Sequence, residues 1–216
     1  DGFEVVDVSD PTRPVHVGKL ASTTSGVLVY LNNPQAVALQ GRYAYVAHND
    51  LSVGGQDGVE IIDISDPANP RHVGSIQDDA TAALDGSSGP VGIAVQGRYA
   101  YVTGSEDDGL EILDVIDPAT PKHVGVLTDS GSAELDGAGD VAVVGRYAYV
   151  TASVDDGLEI ADISNPLSPS HVGALTDSAD TALDGAYGIA VAGRYAYVAG
   201  GVDDGVEIID VSVPTN

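Results

Sequence analysis

The chain repeats itself about every fifty residues, and this periodicity restricts the folds open to it more than any other feature. The string Gly-Arg-Tyr-Ala-Tyr-Val occurs four times in 216 residues, with spacings of 56, 48 and 48. An Asp-Gly-x-Glu string and a His-Val-Gly string recur at similar spacings. The copies of the first string begin at Gly41, Gly97, Gly145 and Gly193. Such a period indicates one structural unit that is copied along the chain and packs on its neighbours.

Each unit contains four short runs rich in β-branched and aromatic residues, a composition typical of strands. In one unit these runs cover residues 141–144, 147–151, 158–163 and 171–175. A glycine lies between the first and second runs, where a tight hairpin needs a positive φ. Prolines separate the third run from the fourth, because proline interrupts strand pairing. No segment shows sustained helical periodicity, so each unit is predicted to be a four-stranded antiparallel sheet.

Four-stranded sheets repeated at this length predict an all-β fold, a β-propeller rather than an open solenoid. The chain opens with a third and a fourth strand and closes with a first, a second and a third. We therefore predict five blades with incomplete terminal ones, and four blades are the alternative. Unpaired terminal strands also predict self-assembly by strand addition. The single domain, 1–216, divides into units of approximately 1–35, 36–87, 88–137, 138–185 and 186–216.

Several strings together resemble a known repeat family. They are Tyr-Ala-Tyr-Val, Asp-Gly-Leu-Glu-Ile-Leu-Asp from Asp108, Asp-Pro-x-x-Pro and a Val-Gly strand, and together they are similar to the LVIVD repeat of bacterial and archaeal surface proteins. The resemblance covers nearly the whole chain. It implies a β-propeller and an exported location, extracellular or on the cell surface, and it implies no single activity. Asp1 lies inside a repeat, without an initiator Met or a signal region, so we expect a processed or excised piece.

The sequence departs from that family by a charge in each third strand, where Glu60, Glu111, Glu159 and Glu207 stand. A register that places Arg98 opposite Asp114 also places each of these glutamates opposite a tyrosine. In this arrangement Glu159 accepts a hydrogen bond from the Tyr149 hydroxyl. The four histidines of the His-Val-Gly strings are expected to pack and to form hydrogen bonds. One histidine in each blade leaves them too far apart to share a metal ion.

The charge balance excludes several classes of partner. The chain has 33 Asp and Glu against 8 Lys and Arg, a formal net charge of -25. This charge repels polyanions, so we expect no nucleic acid partner, and no apolar run is long enough for membrane insertion. Cysteine is absent, which removes disulfides and thiolate nucleophiles. No H-E-x-x-H, G-x-S-x-G or P-loop string is present, which favours a protein that is not an enzyme.

Acidic residues concentrate in two kinds of loop that share one face of a propeller. One kind joins the second strand of a blade to the third, and the other joins one blade to the next. Seven of the eight Lys and Arg residues belong to turns of the opposite face. We predict that no cofactor is required. Calcium is the ion that the loop carboxylates could bind. The alternative is that these carboxylates form a solvated acidic rim. The candidate calcium ligands are Asp129, Glu134, Asp136, Asp177, Asp180 and Asp184.

Four residues break the repeat. His48, Asn49 and Asp50 lie in a loop five residues longer than its counterparts, and Asp140 replaces a glycine near the start of an innermost strand. Unrepeated residues on a repeated scaffold usually carry specificity, so these four are predicted to contact a protein or glycan partner. The predicted function is a non-enzymatic binding or structural module of a secreted or cell-surface protein, with an acidic loop face for calcium or a partner. The alternative is a propeller hydrolase or lyase with a carboxylate or calcium site on that face.

Overall fold

The computed structural model describes residues 2–21, 23–24, 27–28, 31–49, 57–77, 90–106 and 108–214. All regular elements of these residues are β-strands. The recurring Tyr-Ala-Tyr-Val and Gly-x-Glu strings form strands because their β-branched and aromatic residues favour extended backbone. The strands are β1 (Gly2–Asp7), β2 (Val15–Ala21), β3 (Thr23–Thr24), β4 (Val27–Leu28), β5 (Pro34–Gln40), β6 (Tyr43–His48), β7 (Gly58–Asp63), β8 (Arg71–Gln77), β9 (Pro90–Gln96), β10 (Tyr99–Gly104), β11 (Gly109–Asp114), β12 (Lys122–Thr128), β13 (Ala138–Val144), β14 (Tyr147–Ala152), β15 (Gly157–Asp162), β16 (Ser170–Thr176), β17 (Ala186–Ala192), β18 (Tyr195–Gly200) and β19 (Gly205–Asp210).

The strands form five antiparallel sheets in chain order, which we number blades 1 to 5. Blade 1 is β1–β2, blade 2 is β5–β8, blade 3 is β9–β12, blade 4 is β13–β16 and blade 5 is β17–β19. By sequence, β1 and β2 are a third and a fourth strand, and blade 5 has the first three. The fold prediction of five blades with incomplete terminal ones is confirmed. The short strands β3 and β4 pair separately.

The first strands β5, β9, β13 and β17 contact one another in that order and form the inner surface. The core lies between successive blades. Tyr101, Leu110 and Ile112 of blade 3, for example, cluster with Val141 and Val150 of blade 4. Equivalent clusters join blade 2 to blade 3 and blade 4 to blade 5. Sheets that are arranged radially and packed face to face form a β-propeller, and the predicted architecture is confirmed.

The predicted register between the second and third strands is wrong by one residue. Val102, rather than Tyr101, pairs with Glu111. Because side chains alternate between the two faces of a sheet, this shift places each glutamate and its expected tyrosine on opposite faces. The predicted hydrogen bond from the Tyr149 hydroxyl to Glu159 is therefore also wrong, since Tyr149 pairs with Ile160.

The predicted ion pairs form despite the shifted register. Each arginine lies one residue before its strand and reaches the aspartate at the end of the neighbouring strand, as Arg98 Nε does with Asp114 at 2.9 Å. The Arg146 guanidinium, and then Ser164, lower the pKa of Asp162 to about 2. The hairpin turns and the Pro turns share one face, because the N–H of Ile64 donates to Arg42 O at 2.8 Å. The four hairpin arginines are thus neutralised locally. The pairs are Arg42–Asp63, Arg98–Asp114, Arg146–Asp162 and Arg194–Asp210.

Two glycines at the same repeat position test how tightly the inner strands pack. A Cβ at Gly92 would lie 2.6 Å from Gly139 O of the next blade, whereas a Cβ at Gly188 of the last blade would meet no atom within 4 Å. We expect Gly92→Ala to lower the free energy of unfolding by about 1–3 kcal/mol, as overpacking does. Gly188→Ala should change it by less than about 0.5 kcal/mol. Urea denaturation of dilute protein measures both values, and equal effects would contradict the inter-blade packing.

Candidate functional site

A cavity of about 380 Å³ opens on the inner surface, where the loops between blades approach the first strands. Its walls come from the beginnings of these strands and from Ser105 and Ser153, which follow β10 and β14. Asp140 supplies the charged side chain of this lining, and Tyr187 supplies an exposed aromatic ring. Sequence reasoning missed Tyr187. Aligning the repeats would have found it, because it stands where blade 4 has Gly139.

Asp140 faces the inner channel, as the sequence predicts, but its carboxylate also joins two blades. One oxygen accepts the N–H of Val141 at 2.8 Å, and the other accepts the N–H of Ile189 in blade 5 at 3.2 Å. The neighbouring hydroxyl of Thr151 accepts the N–H of Asp140 at 2.9 Å and donates to Tyr187 O at 3.0 Å. A carboxylate offers about four acceptor positions. Counting the described residues alone, two of these positions remain for a group in the cavity.

The other predicted partner contacts lie at the end of β6. His48 and Asn49 are buried, with 0% and 5% of their surface exposed. Asn49 occupies the same position in its repeat as Ser105 and Ser153, which line the cavity. The folded chain gives His48 and Asn49 almost no exposed surface, so their contact with a partner stays a prediction. Asp50 lies outside the described residues.

Carboxylates hold the loop between blades 3 and 4, residues 129–137, in place. Asp108 of blade 3 accepts the N–H of Gly137 at 2.9 Å, and Asp155 of blade 4 accepts the N–H of Asp136 at 2.8 Å. The two kinds of acidic loop therefore share one face, as predicted. Buried N–H groups need acceptors, and the recurrent acids of this face supply them.

The next loop, residues 177–185, repeats this construction. Asp156 accepts the N–H of Gly185 at 2.8 Å, and Asp203 accepts the N–H of Asp184 at 3.1 Å. The first aspartate of each loop also bonds within its own loop, as Asp177 does by accepting the N–H of Leu183 at 3.0 Å. The same acids therefore shape successive loops by the same hydrogen bonds.

The six predicted calcium ligands are divided between these two loops. Their carboxylates do not converge, and the described part of the chain has no group of three or more His, Asp or Glu that could hold a metal ion. Calcium binding stays a prediction without a preformed site. The two sets are Asp129, Glu134 and Asp136 in the first loop, and Asp177, Asp180 and Asp184 in the second.

Negative charge accumulates beside the cavity. Burial, and then the neighbouring Asp108, raise the pKa of Asp136. Burial, and then Asp156, raise the pKa of Asp184 in the same way. Carboxylates this close repel one another and focus a negative potential on the loop face. We call this surface, formed by residues 105, 106 and 108 and by the loops at 129–137, 153–156, 177–185 and 201–204, the acidic face.

Glutamates of the third strands pair with the histidines of the fourth strands. With its proton on Nδ1, His171 donates to Glu159 at 2.8 Å, and the Glu159 side chain is fully buried. Glu159 also accepts the N–H of Glu134 from the inter-blade loop at 3.2 Å. The predicted packing and hydrogen-bonding role of the histidines is confirmed. The pairs are Glu4–His16, Glu60–His72, Glu111–His123 and Glu159–His171.

The family model described as LVIVD repeat matches residues 1–21, 33–78, 90–129, 137–177 and 185–216, well over half of the sequence. The chain belongs to the LVIVD repeat family. The matched segments of this LVIVD protein carry the blades and leave out 130–136 and 178–184, most of the two acidic inter-blade loops. No curated protein is significantly similar to this chain in sequence.

Solved β-propellers resemble the LVIVD chain in fold. A candidate 6-phosphogluconolactonase from Bacteroides uniformis is 16% identical, with a TM-score of 0.71 over 98% of this chain and 60% of its own. Another from Bacteroides fragilis is 14% identical, with a TM-score of 0.67 over 97% and 60%. A Lactobacillus plantarum protein is 15% identical, with a TM-score of 0.63 over 89% and 61%. The chain thus spans about 60% of the length of these structures.

The Glu–His pairs can be tested by comparing a buried pair with an exposed one. His171→Ala removes the donor from fully buried Glu159, and we expect it to lower the free energy of unfolding by about 1–3 kcal/mol. His16→Ala breaks the equivalent Glu4–His16 pair of blade 1, in which both side chains are more than half exposed. This change should cost less than about 1 kcal/mol. Urea denaturation followed by circular dichroism measures both. Equal losses of unfolding free energy in the two variants would contradict the idea that burial strengthens the Glu–His pair.

The pH dependence of stability tests Glu159 separately. Burial raises the pKa of Glu159 to about 7 from the ordinary value of 4.5. Protonation therefore stabilises the fold fully below pH 4.5, and this contribution disappears as the pH rises through 7. The free energy of unfolding of Glu159→Gln lacks this pH dependence. Measured relative to the native chain, it should therefore rise by about 1–2 kcal/mol from pH 5 to pH 8. Denaturation at both pH values checks this, and a constant difference would refute it.

Proposed function

We propose that this chain is a non-enzymatic binding module of a secreted or cell-surface protein, and that its acidic face binds a protein segment carrying Lys or Arg side chains. The observation that carries the proposal is the cavity beside the acidic loops, with the Asp140 carboxylate in its wall. The location outside the cell is the one implied by the repeat family.

Electrostatics favours a cationic partner. The chain has a net charge of -25, and four of its eight cations are held in ion pairs on the opposite face. The like-charged groups around Asp136 and Asp184 repel one another. A cationic side chain close to them relieves this repulsion and gains Coulomb energy near a surface of reduced dielectric constant.

The hydrogen bonds at the cavity favour binding over catalysis. Asp140 accepts two backbone N–H groups, and the Ser153 hydroxyl donates to Gly137 O at 3.0 Å. The Thr151 hydroxyl bonds to Tyr187 O across the blade boundary. Groups engaged with the backbone in this way fix the shape of a surface. A general acid or base must instead exchange its proton with a substrate.

A fluorescent Lys-rich peptide serves as the probe for the acidic face. We expect it to bind at low ionic strength, with an affinity that falls as salt is added. The double variant Glu134→Gln, Asp180→Asn removes two charges whose carboxylates hold no described loop hydrogen bond, and should weaken binding by about fivefold, or roughly 1 kcal/mol. Fluorescence anisotropy measures the dissociation constant.

The matched control removes two charges from the opposite face. Asp66 and Asp117 cap the Pro turns by accepting the N–H groups of Ala68 and Ala119, and blade 4 has Asn165 at the same repeat position. Asp66→Asn, Asp117→Asn should therefore keep the turns and change binding by less than about twofold. Equal weakening by the two double variants would contradict binding at the acidic face.

The alternative function is a hydrolase with its site on the same face. The names of two structural neighbours suggest that such a hydrolase would be a lactonase. Their identities of 16% and 14% show the fold alone. The acidic face would repel a phosphorylated lactone, because both carry negative charge. We expect the rate of 6-phosphogluconolactone hydrolysis with the protein to equal the uncatalysed rate. Saturable acceleration that is lost in Asp140→Ala would replace the binding proposal with the enzymatic one.

A further inference from the structure

Asp140 is an exception among the first strands of the blades. Its position in the repeat is occupied by Ala36 in blade 2, by Gly92 in blade 3 and by Gly188 in blade 5. A carboxylate that every interface between blades required would recur in each repeat, as the glutamates of the third strands do. The repeated fold therefore does not explain Asp140, and its place in the wall of the cavity points to a ligand.

The carboxylate of Asp140 has a fixed orientation. One oxygen, Oδ1, accepts the N–H of Val141 at 2.8 Å, and the other, Oδ2, accepts the N–H of Ile189 at 3.2 Å. The N–H of Asp140 donates in turn to the hydroxyl of Thr151, a residue with no exposed surface. A ligand that meets this carboxylate does not have to order it first, which lowers the cost of binding.

The two oxygens of Asp140 have matching free positions. A carboxylate oxygen accepts about two hydrogen bonds, and each oxygen of Asp140 uses one of them for a backbone N–H. Within the described part of the chain, one acceptor position is thus left on Oδ1 and one on Oδ2. The guanidinium of arginine donates two parallel N–H groups to two such oxygens, whereas the ammonium of lysine is a compact point charge. This arrangement favours arginine over lysine.

Other side chains of the wall direct their donors into the chain itself. The Ser153 hydroxyl donates to Gly137 O at 3.0 Å. Gln35 Nε2 donates to Asn33 O at 3.1 Å. A guanidinium has five N–H donors and no acceptor, so it requires no donor from the wall. A sugar hydroxyl or an anionic ligand does accept hydrogen bonds, and the cavity suits these groups less well.

The size and charge of the cavity suit one basic side chain. Pockets for small molecules have volumes of about 300–1,000 Å³, and this cavity, at about 380 Å³, is at the lower end of that range. It admits a side chain rather than a strand or a helix. Gly137 in its wall follows Asp136 of the acidic loop directly, so the potential at its opening is negative. Ala36 and Val91 offer apolar surface to the methylene groups of an arginine.

We infer that this cavity anchors one arginine side chain of the bound segment, with its guanidinium on Oδ1 and Oδ2 of Asp140. The inference rests on the proposed function, since the acidic loops attract a cationic segment and the cavity then selects one residue of it. The loops act through charge, which arginine and lysine share. Asp140 distinguishes the two through the direction of its free acceptor positions, so it determines the specificity of the face.

Three fluorescent peptides test the anchor by anisotropy. The first is the Lys-rich peptide that probes the acidic face, and the other two carry arginine or citrulline at one central position. Citrulline has nearly the shape of arginine without its charge. We expect the arginine peptide to bind the native chain about tenfold more tightly than the Lys-rich peptide, because paired charge-assisted hydrogen bonds are the stronger ones. The citrulline peptide should bind no more tightly than the Lys-rich peptide.

Asp140→Gly tests the carboxylate itself, because glycine already occupies this repeat position in blades 3 and 5. The variant should bind the arginine peptide and the Lys-rich peptide with equal and weaker affinity. The matched control is the double variant Glu134→Gln, Asp180→Asn, which should weaken both peptides by the same factor and keep the tenfold preference. Circular dichroism checks folding. Asp140→Asn keeps one acceptor oxygen for the backbone and should lose the preference too, so it replaces Asp140→Gly if that variant unfolds.

Amide chemical shifts in NMR spectra locate the bound arginine. The N–H groups of Val141 and Ile189 donate to the Asp140 carboxylate, and a guanidinium on the same oxygens changes their electronic environment. The arginine peptide should therefore shift the Val141 and Ile189 signals more than the Lys-rich peptide does. Shifts confined to the loops 129–137 and 177–185 with both peptides would overturn the anchor.

The affinities separate this inference from the proposed function. Equal affinity of the native chain for the arginine and Lys-rich peptides would overturn the anchor and leave the acidic face as the binding surface. A tenfold preference that survives Asp140→Gly would overturn the anchor too, because the guanidinium would then bind elsewhere. If none of the three peptides binds at low ionic strength, the proposed function and the anchor both fail.

Discussion

The structure depends on apolar contact between neighbouring blades. No blade can bury its own faces, because a four-stranded sheet is one layer thick. Tyr101, Leu110 and Ile112 are buried only because blade 4 covers them. Stability of this kind is mainly a sum over neighbouring interfaces. The positions of apolar residues in one unit therefore have meaning only in relation to the next unit.

Buried carboxylates give these apolar interfaces their geometry. Glu159 bonds to His171 of its own blade and to the N–H of Glu134 in the preceding loop. A buried charge without such bonds is strongly unfavourable, so the pair and the loop must form together. Apolar packing alone tolerates sliding between sheets. The directional bonds of Glu159 and Asp140 fix both the register and the height at which successive blades meet.

The fold could be predicted from the sequence, but the contacts of its charged residues only in part. The hairpin glycines and Pro turns mark strand ends, so the blades are evident. The strand register is not evident from the sequence. Tyr101 and Val102 point to opposite faces of the sheet and both are buried, whereas alternation fixes the register only when one face is polar. Asp140 stands out as an exception to the repeat. Whether the carboxylate of Asp155 meets solvent or an N–H group depends on loop shape, which residue spacing does not encode.

The repeat also explains why the two ends of the chain differ from its middle. An internal Tyr-Ala-Tyr-Val strand buries both faces, and the sequence of β18 is almost the same as that of β14, although Tyr197 is exposed and Tyr149 is not. A terminal repeat adapted to solvent usually carries polar residues on its outer face. Val206 and Ile208 remain apolar instead. The last blade thus retains the surface of an internal one, and its sequence is suited to contact with a further blade.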